Sequence, residues 1–255
     1  MMDTDRLAAT LAEAVRSRTA IPPLTDEVAL DIEQAYDVQD ATLELLDPGA
    51  TRRVAKLGLT SRAKQQQMAV DEPLYGWFVS GSAVEPGIPL EVASLIQPRV
   101  EPEIALVTGA ELAGHDVTTP EVLVATAGVM PALDVLDSRF AGYRFTLPDV
   151  VADDGSAARY VLGDPVPLAD RSLPLLGCVL ERNGELVDTA AGAAVLGHPA
   201  AAVAWFVRKL AHRGRSLPAG SIVLAGSLTA AIPVEAGDVV RASIGQLGHV
   251  ELQVT

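Results

Sequence analysis

Two glutamates separated by one residue stand in an apolar run, Arg99-Val100-Glu101-Pro102-Glu103-Ile104-Ala105-Leu106. In an extended chain successive side chains alternate faces, so Glu101 and Glu103 share one. Two carboxylates on one face repel unless a cation or a proton lies between them. The flanking residues are apolar, so this is not a solvated charge run. An edge strand with two surface glutamates would look the same locally, and the pair alone leaves both readings open.

A third carboxylate is available in Met130-Pro131-Ala132-Leu133-Asp134-Val135-Leu136-Asp137-Ser138-Arg139. Aspartate is rarely buried without a partner. Either Asp137 pairs with Arg139, or Asp134 completes an all-oxygen metal site. Three carboxylates with no His or Cys beside them favour Mg²⁺ or Mn²⁺ over zinc or copper. The histidines His115, His198, His212 and His249 are scattered, show no ligand spacing and read as structural.

The chain has three lysines, and Lys56 and Lys64 fall close together. With Arg52, Arg53 and Arg62 they form a positive cluster in an acidic protein. Arg62 and Lys64 read as a solvated helix face. Lys56 differs, because it sits among Val54, Ala55, Leu57 and Leu59 just before a Gly turn, well placed to meet a substrate carboxylate or enolate. Ser156 and Arg159, in a loop entering a strand, can hydrogen-bond a substrate or simply cap and pair locally. Gly226-Ser227-Leu228-Thr229 is a small-residue turn where backbone can approach a ligand. No GxSxG, P-loop or dinucleotide fingerprint is present.

The elements that must position these groups are legible in outline. Leu7, Leu11, Ala14 and Val15 recur at helical spacing behind Asp3 and Thr4, and Pro22-Pro23 ends that helix. A second helix is expected from Asp26 or Asp31 through Leu45, stopped by Asp47-Pro48-Gly49. Arg53–Leu59 alternates like a short strand. Thr60 or Ser61 then caps a helix through Met68, and residues 70–81 read as a loop. From about residue 84 short apolar runs alternate with Gly and Pro turns. Residues 88–96, 99–109, 166–189 and 221–254 carry strand signals, and Asn183-Gly184 marks a hairpin. Helices are expected near 119–128 and over 199–213. The fold class is α+β, with a helical N-terminal portion on a mixed, β-rich core.

At 255 residues the chain suits one large domain, or one domain with a smaller cap. A net charge of −14 argues against a nucleic-acid or anionic-membrane surface, because phosphate binding needs clustered Lys and Arg. It leaves an acidic small substrate open. The single cysteine, Cys178, excludes an internal disulfide framework and a Cys-rich zinc site. The opening MMDTDRLAATLAEAVRSRTA lacks the apolar core of a signal peptide, and no stretch approaches the ~20 apolar residues that span a bilayer. The expected compartment is the cytoplasm.

The segments KLGLTSRAKQQQMAVDEPLYG, LIQPRVEPEIALV, MPALDVLDSR, VADDGSAARYVLG, AGAAVLGHPAAAVAWF and AGSLTAAIPVEAGDVVRASIGQLGHVEL follow one another along nearly the whole chain. Together they resemble the 2-oxopentenoate hydratase and 4-oxalocrotonate decarboxylase family, within the wider fumarylacetoacetate hydrolase-like fold. The resemblance implies a β-roll or barrel core over 81–255 and a helical region over 1–80 that carries a substrate-contacting strand and loop. It implies Glu101, Glu103 and Asp134 as ligands of Mg²⁺ or Mn²⁺, Lys56 as the catalytic lysine, and Ser156, Leu74 and Arg159 as substrate-binding residues. Asp134 departs from the glutamate usual at its position by one methylene. Leu74 stands where the hydratases carry a second acid, and Arg159 with its surrounding string looks closer to the decarboxylases.

The implied substrate is 2-oxohex-3-enedioate, met in the meta-cleavage catabolism of aromatics. Its 2-oxo acid end would bind the cation, and Lys56 would stabilise the developing oxyanion. Leu74 and Trp77 would suit a departing carboxylate that loses solvation. Two alternatives stay open: 2-oxopent-4-enoate hydratase, and a weakly active partner subunit made possible by Asp134. The expected partner is a small 2-oxo acid, with neither nucleic acid nor membrane. A homo-oligomer is expected, or a complex with a related hydratase or decarboxylase.

Overall fold

A computed structural model describes residues 3–61, 65–66, 70 and 72–255 of the chain. The helix expected from Thr60 or Ser61 to Met68 falls largely outside these residues, as do Arg62 and Lys64 of the basic cluster. Helix α1 spans Thr4–Ser17, with the Asp3 side chain accepting from the Arg6 amide at 3.1 Å. Helix α2 spans Ile32–Leu46 and starts at a reciprocal cap between Asp31 and Gln34, so Asp31 rather than Asp26 sets its beginning. The strands are β1 (Val54–Gly58), β2 (Leu74–Trp77), β3 (Arg99–Thr108), β4 (Thr126–Leu136), β5 (Ala157–Leu162), β6 (Gly177–Arg182), β7 (Glu185–Ala191), β8 (Ile222–Ser227), β9 (Ile232–Pro233), β10 (Val239–Ile244) and β11 (Gly248–Gln253). Helices α3 (Thr119–Ala125), α4 (Leu147–Ala152) and α5 (Pro199–His212) lie between them. Among the described residues no helix is long and apolar enough to cross a membrane.

The fold is mixed helix and sheet, with two helices leading into a strongly curled sheet. That sheet has seven strands in the order β2-β1-β8-β3-β4-β5, with β9 added to β3. A second sheet runs β11-β10-β6-β7. β1 and β2, from the first 80 residues, are thus hydrogen-bonded into the same sheet as β3 and β4. β1 joins β8 in parallel, with Lys56 opposite Leu224.

Alternation along the strands gives the curled sheet two different faces. Ala55, Leu57, Tyr75, Ile104, Leu106 and Val223 point outward into the core formed with α1, α2 and α5. Farther along the outer face Val100, Leu133, Val135 and Val161 pack with Leu180, Val240 and Leu252 of the second sheet. Inside the curl, Phe78, Ala105, Met130, Ala132 and Leu224 form a small apolar floor. Each large outward residue is sealed; Leu57 is 0% exposed, and truncating such a leucine to alanine costs about 2–5 kcal/mol.

The structure corrects three local readings. Residues 74–77 form β2, although the whole 70–81 segment reads as a loop; its four residues are too few to show a period. Residues 88–96 do not form a strand, because Val92–Ser94 makes a turn of 3₁₀ helix and Leu90 contributes one isolated bridge to Val254. Helix α3 gives way at Thr126 to β4, the strand beside β3. The Asn183-Gly184 hairpin joins β6 to β7, with both residues at positive φ (57° and 80°), as a tight turn of this type requires.

Candidate metal centre and substrate cavity

β3 and β4 are antiparallel neighbours, with Glu101 directly opposite Asp134 and Glu103 opposite Ala132. Period two then places Glu101, Glu103 and Asp134 on the inner face. A carboxylate oxygen from each lies within 4.8 Å of the others, and all three residues are buried. The shorter side chain of Asp134 therefore still reaches the cluster. Asp134 does not leave its alternative role to Asp137 and Arg139: the Asp137 carboxylate accepts from the amides of Ile96 and Gln97, and Arg139 pairs with Asp153.

Lys56 comes from three strands away. Four flat strands, β1, β8, β3 and β4, would span about 14 Å at ~4.8 Å per step. Yet Lys56 Nζ lies 3.0 Å from Asp134 Oδ2, and it donates to the Gly155 carbonyl at 3.0 Å. Only the curl of the sheet permits that contact. Lys56 is 2% exposed. Burial by itself pulls its pKa down, but the charges of Asp134, Glu101 and Glu103 outweigh burial and raise it, so the ammonium form is held.

One lysine does not balance three carboxylates. With all three ionised, the cluster with Lys56 carries two residual negative charges. At an effective dielectric near 20, each carboxylate pair at this separation repels by about 3 kcal/mol. Burial, followed by the charges of Asp134 and Glu101, pushes Glu103 well above the usual carboxylate range. Glu103 Oε2 accepts from the Gly226 amide, while Oε1 is buried with no hydrogen-bond partner among the described residues. An all-oxygen donor set of three converging carboxylates and a buried Glu103 oxygen lacking a donor among the described residues fit a hard divalent cation.

The Gly226 contact depends on a bulge. Between Glu103 and Ala105, β3 advances two residues while β8 advances three, from Leu224 to Ser227. Gly226 sits there at φ 118°, and a Cβ would fall 1.9 Å from Thr60 Oγ1. A side chain is excluded, and the amide is turned from the ladder toward Glu103. The small-residue turn at 226–229 thus serves a carboxylate of the cluster.

A cavity of ≈ 480 Å³ opens over this face, lined by Lys56, Glu101, Leu74 and Ser156 among others. Leu74 is 2% exposed and packs beside the turn at Gly155, where a Cβ would meet its Cδ1 at 2.9 Å. Ser156, at φ 60°, donates its hydroxyl to Asp153 Oδ2 at 3.1 Å. Asp153 is fully buried in its pair with Arg139, and burial lifts its pKa to about 6 against the pull of that arginine.

Two expected residues lie elsewhere. On β5 the inner position opposite Asp134 is Tyr160; Arg159, one residue away, lines a different cavity behind the sheet. Trp77 shares the outward face with Tyr75 and packs on Phe206 of α5 (ring centroids 5.4 Å apart), so it does not stand beside Leu74 in the site. The residues sequence reasoning missed are Arg99, Tyr143 and Arg144, which also line the cavity. The Arg99 guanidinium lies 4.1 Å above the Tyr143 ring and has no carboxylate partner among the described residues, whereas Arg144 pairs with Asp26 at 2.8 Å. The signal for Arg99 was available, since it is two residues before Glu101 and shares its face.

Comparison with known proteins agrees with this geometry. The family described as fumarylacetoacetate (FAA) hydrolase C-terminal matches residues 49–255. A 4-oxalocrotonate decarboxylase of Pseudomonas sp. (strain CF600) is 42% identical over 221 residues, covering 86% of this chain and 84% of the relative. A 2-keto-4-pentenoate hydratase of Burkholderia vietnamiensis (strain G4 / LMG 22486) is 38% identical over 252 residues, covering 98% and 96%. The structure of 4-oxalocrotonate decarboxylase from Pseudomonas putida G7, complexed with magnesium and adipate, superposes with a TM-score of 0.93 at 36% identity, over 99% of this chain and 97% of that one.

Proposed function

The chain belongs to the fumarylacetoacetate hydrolase C-terminal family, and on that premise we propose that it is a divalent-cation-dependent lyase releasing CO₂ from 2-oxohex-3-enedioate (4-oxalocrotonate). The observation that carries the reaction type is the carboxylate inventory of the cavity. Glu101 is the sole acid among its described lining residues, and leucine occupies position 74. Water addition needs an acid/base pair to protonate carbon and activate water. Loss of CO₂ needs an electron sink and no carbon-bound proton to be removed. The match to a decarboxylase complexed with adipate, a six-carbon diacid, supports the same choice.

Glu101, Glu103 and Asp134 would hold the cation, Mg²⁺ or Mn²⁺. When bound, it supplies Lewis-acid polarisation of a 2-oxo carboxylate. The chain's own groups then act as follows. As the bond to the distal carboxylate breaks, its electron pair shifts through the adjacent double bond and negative charge collects on the 2-oxygen. The Lys56 ammonium, fixed by Asp134 and Gly155, is the stabilising donor for that charge. Its attachment to two acceptors on different elements limits reorganisation. Ser156 binds substrate at the cavity wall, its own orientation set by Asp153. Leu74 keeps the wall apolar where the departing carboxylate sheds its hydration. Arg99, beyond Glu101 on the same face by about 7 Å of strand, recognises the distal carboxylate in the ground state.

The reading predicts CO₂ release from 2-oxohex-3-enedioate with Mg²⁺ or Mn²⁺ and poor hydration of 2-hydroxypenta-2,4-dienoate. Efficient hydration of the dienoate with no CO₂ release would overturn it. Hydratase activity is the second reading, favoured by the 38% identity to a 2-keto-4-pentenoate hydratase. The exposed apolar side chains Leu175, Val179, Leu186 and Val187 around the β6–β7 hairpin support association with further copies or with a related subunit. The cytoplasm is the proposed compartment.

A further inference from the structure

The cavity that Arg159 does line is separate from the substrate cavity. It measures ≈ 220 Å³ and lies between α1, α2 and the Asp153–Arg159 segment. Four arginines border it; Arg139 is taken up by Asp153, which leaves Arg16, Arg18 and Arg159. Each is oriented by one donation to a backbone carbonyl, at Leu45 (2.7 Å), Ala93 (3.0 Å) and Ala158 (2.9 Å). None has a carboxylate within ion-pair distance among the described residues. In a chain with 33 acidic and 19 basic residues, three arginines in one wall with no ion-pair partner among the described residues is an unusual concentration of positive charge.

Two further donors sit in the same wall. Trp77 Nε1 and Ser82 Oγ are buried without a hydrogen-bond partner among the described residues. Trp77 is 3% and Ser82 1% exposed. An indole N–H only donates, and a hydroxyl can. The wall's three aspartates are already committed, Asp137 to two backbone amides, Asp153 to Arg139 and Asp154 to the Trp77 amide. The rest of the lining includes Leu11, Leu43, Leu46 and Phe78. The unfilled hydrogen-bonding capacity is therefore donor in character and the remaining surface is apolar.

We propose that this cavity is a second binding site, for a small monocarboxylate with an apolar body. The carboxylate faces the arginines and the apolar part lies against α1 and α2. The site touches the catalytic machinery through one turn. Asp154, in its wall, accepts from the Trp77 amide at 2.8 Å, and the next residue, Gly155, holds Lys56. Occupancy of the cavity thus bears on the turn that positions the lysine. The assignment stands independently of the reaction proposed above, although the dienoate that reaction forms belongs to the same ligand class.

Benzoate is the probe, measured by isothermal titration calorimetry on the whole chain, with acetate as the anion lacking an apolar body. Benzoate should bind wild type with Mg²⁺ present or withheld, and at least tenfold more tightly than acetate. The Arg16→Gln/Arg18→Gln variant, both positions being exposed, should weaken benzoate at least tenfold while keeping the wild-type melting temperature and its kcat/KM in the absence of benzoate. Glu103→Gln should leave benzoate affinity unchanged. Absence of binding to wild type overturns the proposal. So does affinity lost in Glu103→Gln and retained in Arg16→Gln/Arg18→Gln, which would put the ligand in the substrate cavity.

Discussion

Replacing Lys56 by methionine keeps a long apolar stem and removes the charge together with the donation to the Gly155 carbonyl. In the folded protein this strips Asp134 of an ammonium at 3.0 Å and leaves it buried beside Glu101 and Glu103. A unit-charge pair at that distance is worth about 5 kcal/mol at an effective dielectric of 20, and breaking buried pairs costs about 3–5 kcal/mol. Cation-free Lys56→Met should therefore unfold at markedly lower urea, by a free energy in that range. Mg²⁺ should restore more stability to the variant than it adds to wild type, because it supplies positive charge at the carboxylates where the substitution has removed it. Turnover has a separate expectation: at saturating Mg²⁺, kcat/KM for 2-oxohex-3-enedioate should fall by about 10²–10³, the cost of one lost oxyanion donor. Urea titrations with and without Mg²⁺, paired with initial rates, measure both. Unchanged kcat/KM in a folded, Mg²⁺-loaded variant would refute the catalytic role, and unchanged stability without Mg²⁺ would refute the electrostatic account of the cluster.

Exhaustive chelation should abolish CO₂ release and Mg²⁺ or Mn²⁺ should restore it, whereas Glu103→Gln should stay inactive with either; full activity after chelation would remove the metal from the reading. Arg99→Met should raise KM for 2-oxohex-3-enedioate about tenfold or more without lowering kcat, since its contact is with the ground-state carboxylate; a fall in kcat at unchanged KM would contradict that. Leu74→Asp should depress decarboxylation, because a new carboxylate repels the substrate's distal one, and an unaffected rate would move Leu74 out of the substrate's path. Asp154 gives a pH prediction. Burial lifts its carboxyl to about 8, so the folded chain holds a proton that the unfolded chain releases near 4. Stability should decline as pH rises from about 4 to 8 and level beyond it, and Asp154→Asn should flatten that slope in urea titrations at pH 5 and 8.

The acidic centre was legible because two-residue spacing inside an apolar run is a face assignment in any strand. The same rule, applied one step further, finds Arg99. It was not legible that Asp134 would stand opposite Glu101, because that depends on the pairing of β3 with β4, and β4 follows directly on a helix. Position 159 shows the converse problem: on a strand an error of one residue reverses the face, and Tyr160 rather than Arg159 looks inward. Trp77 failed for the same reason, since β2 had not been recognised and Leu74 and Trp77 sit on opposite faces. The hold of Gly226 on Glu103 comes from a bulge between strands distant in sequence, and local pattern carries no trace of it.

The parallel pairing of β1 with β8 also has a kinetic meaning. The acidic half of the site belongs to β3 and β4, neighbours in sequence, and such contacts close early for little chain entropy. The lysine arrives only when Lys56 reaches Leu224 across most of the chain. During synthesis the carboxylates are thus made and paired long before β8, which joins the β1–β2 pair carrying their ammonium to β3, has been made. A divalent cation captured in that interval would serve as the counter-charge for assembly, and magnesium in a refolding buffer should speed recovery of native protein as well as of activity.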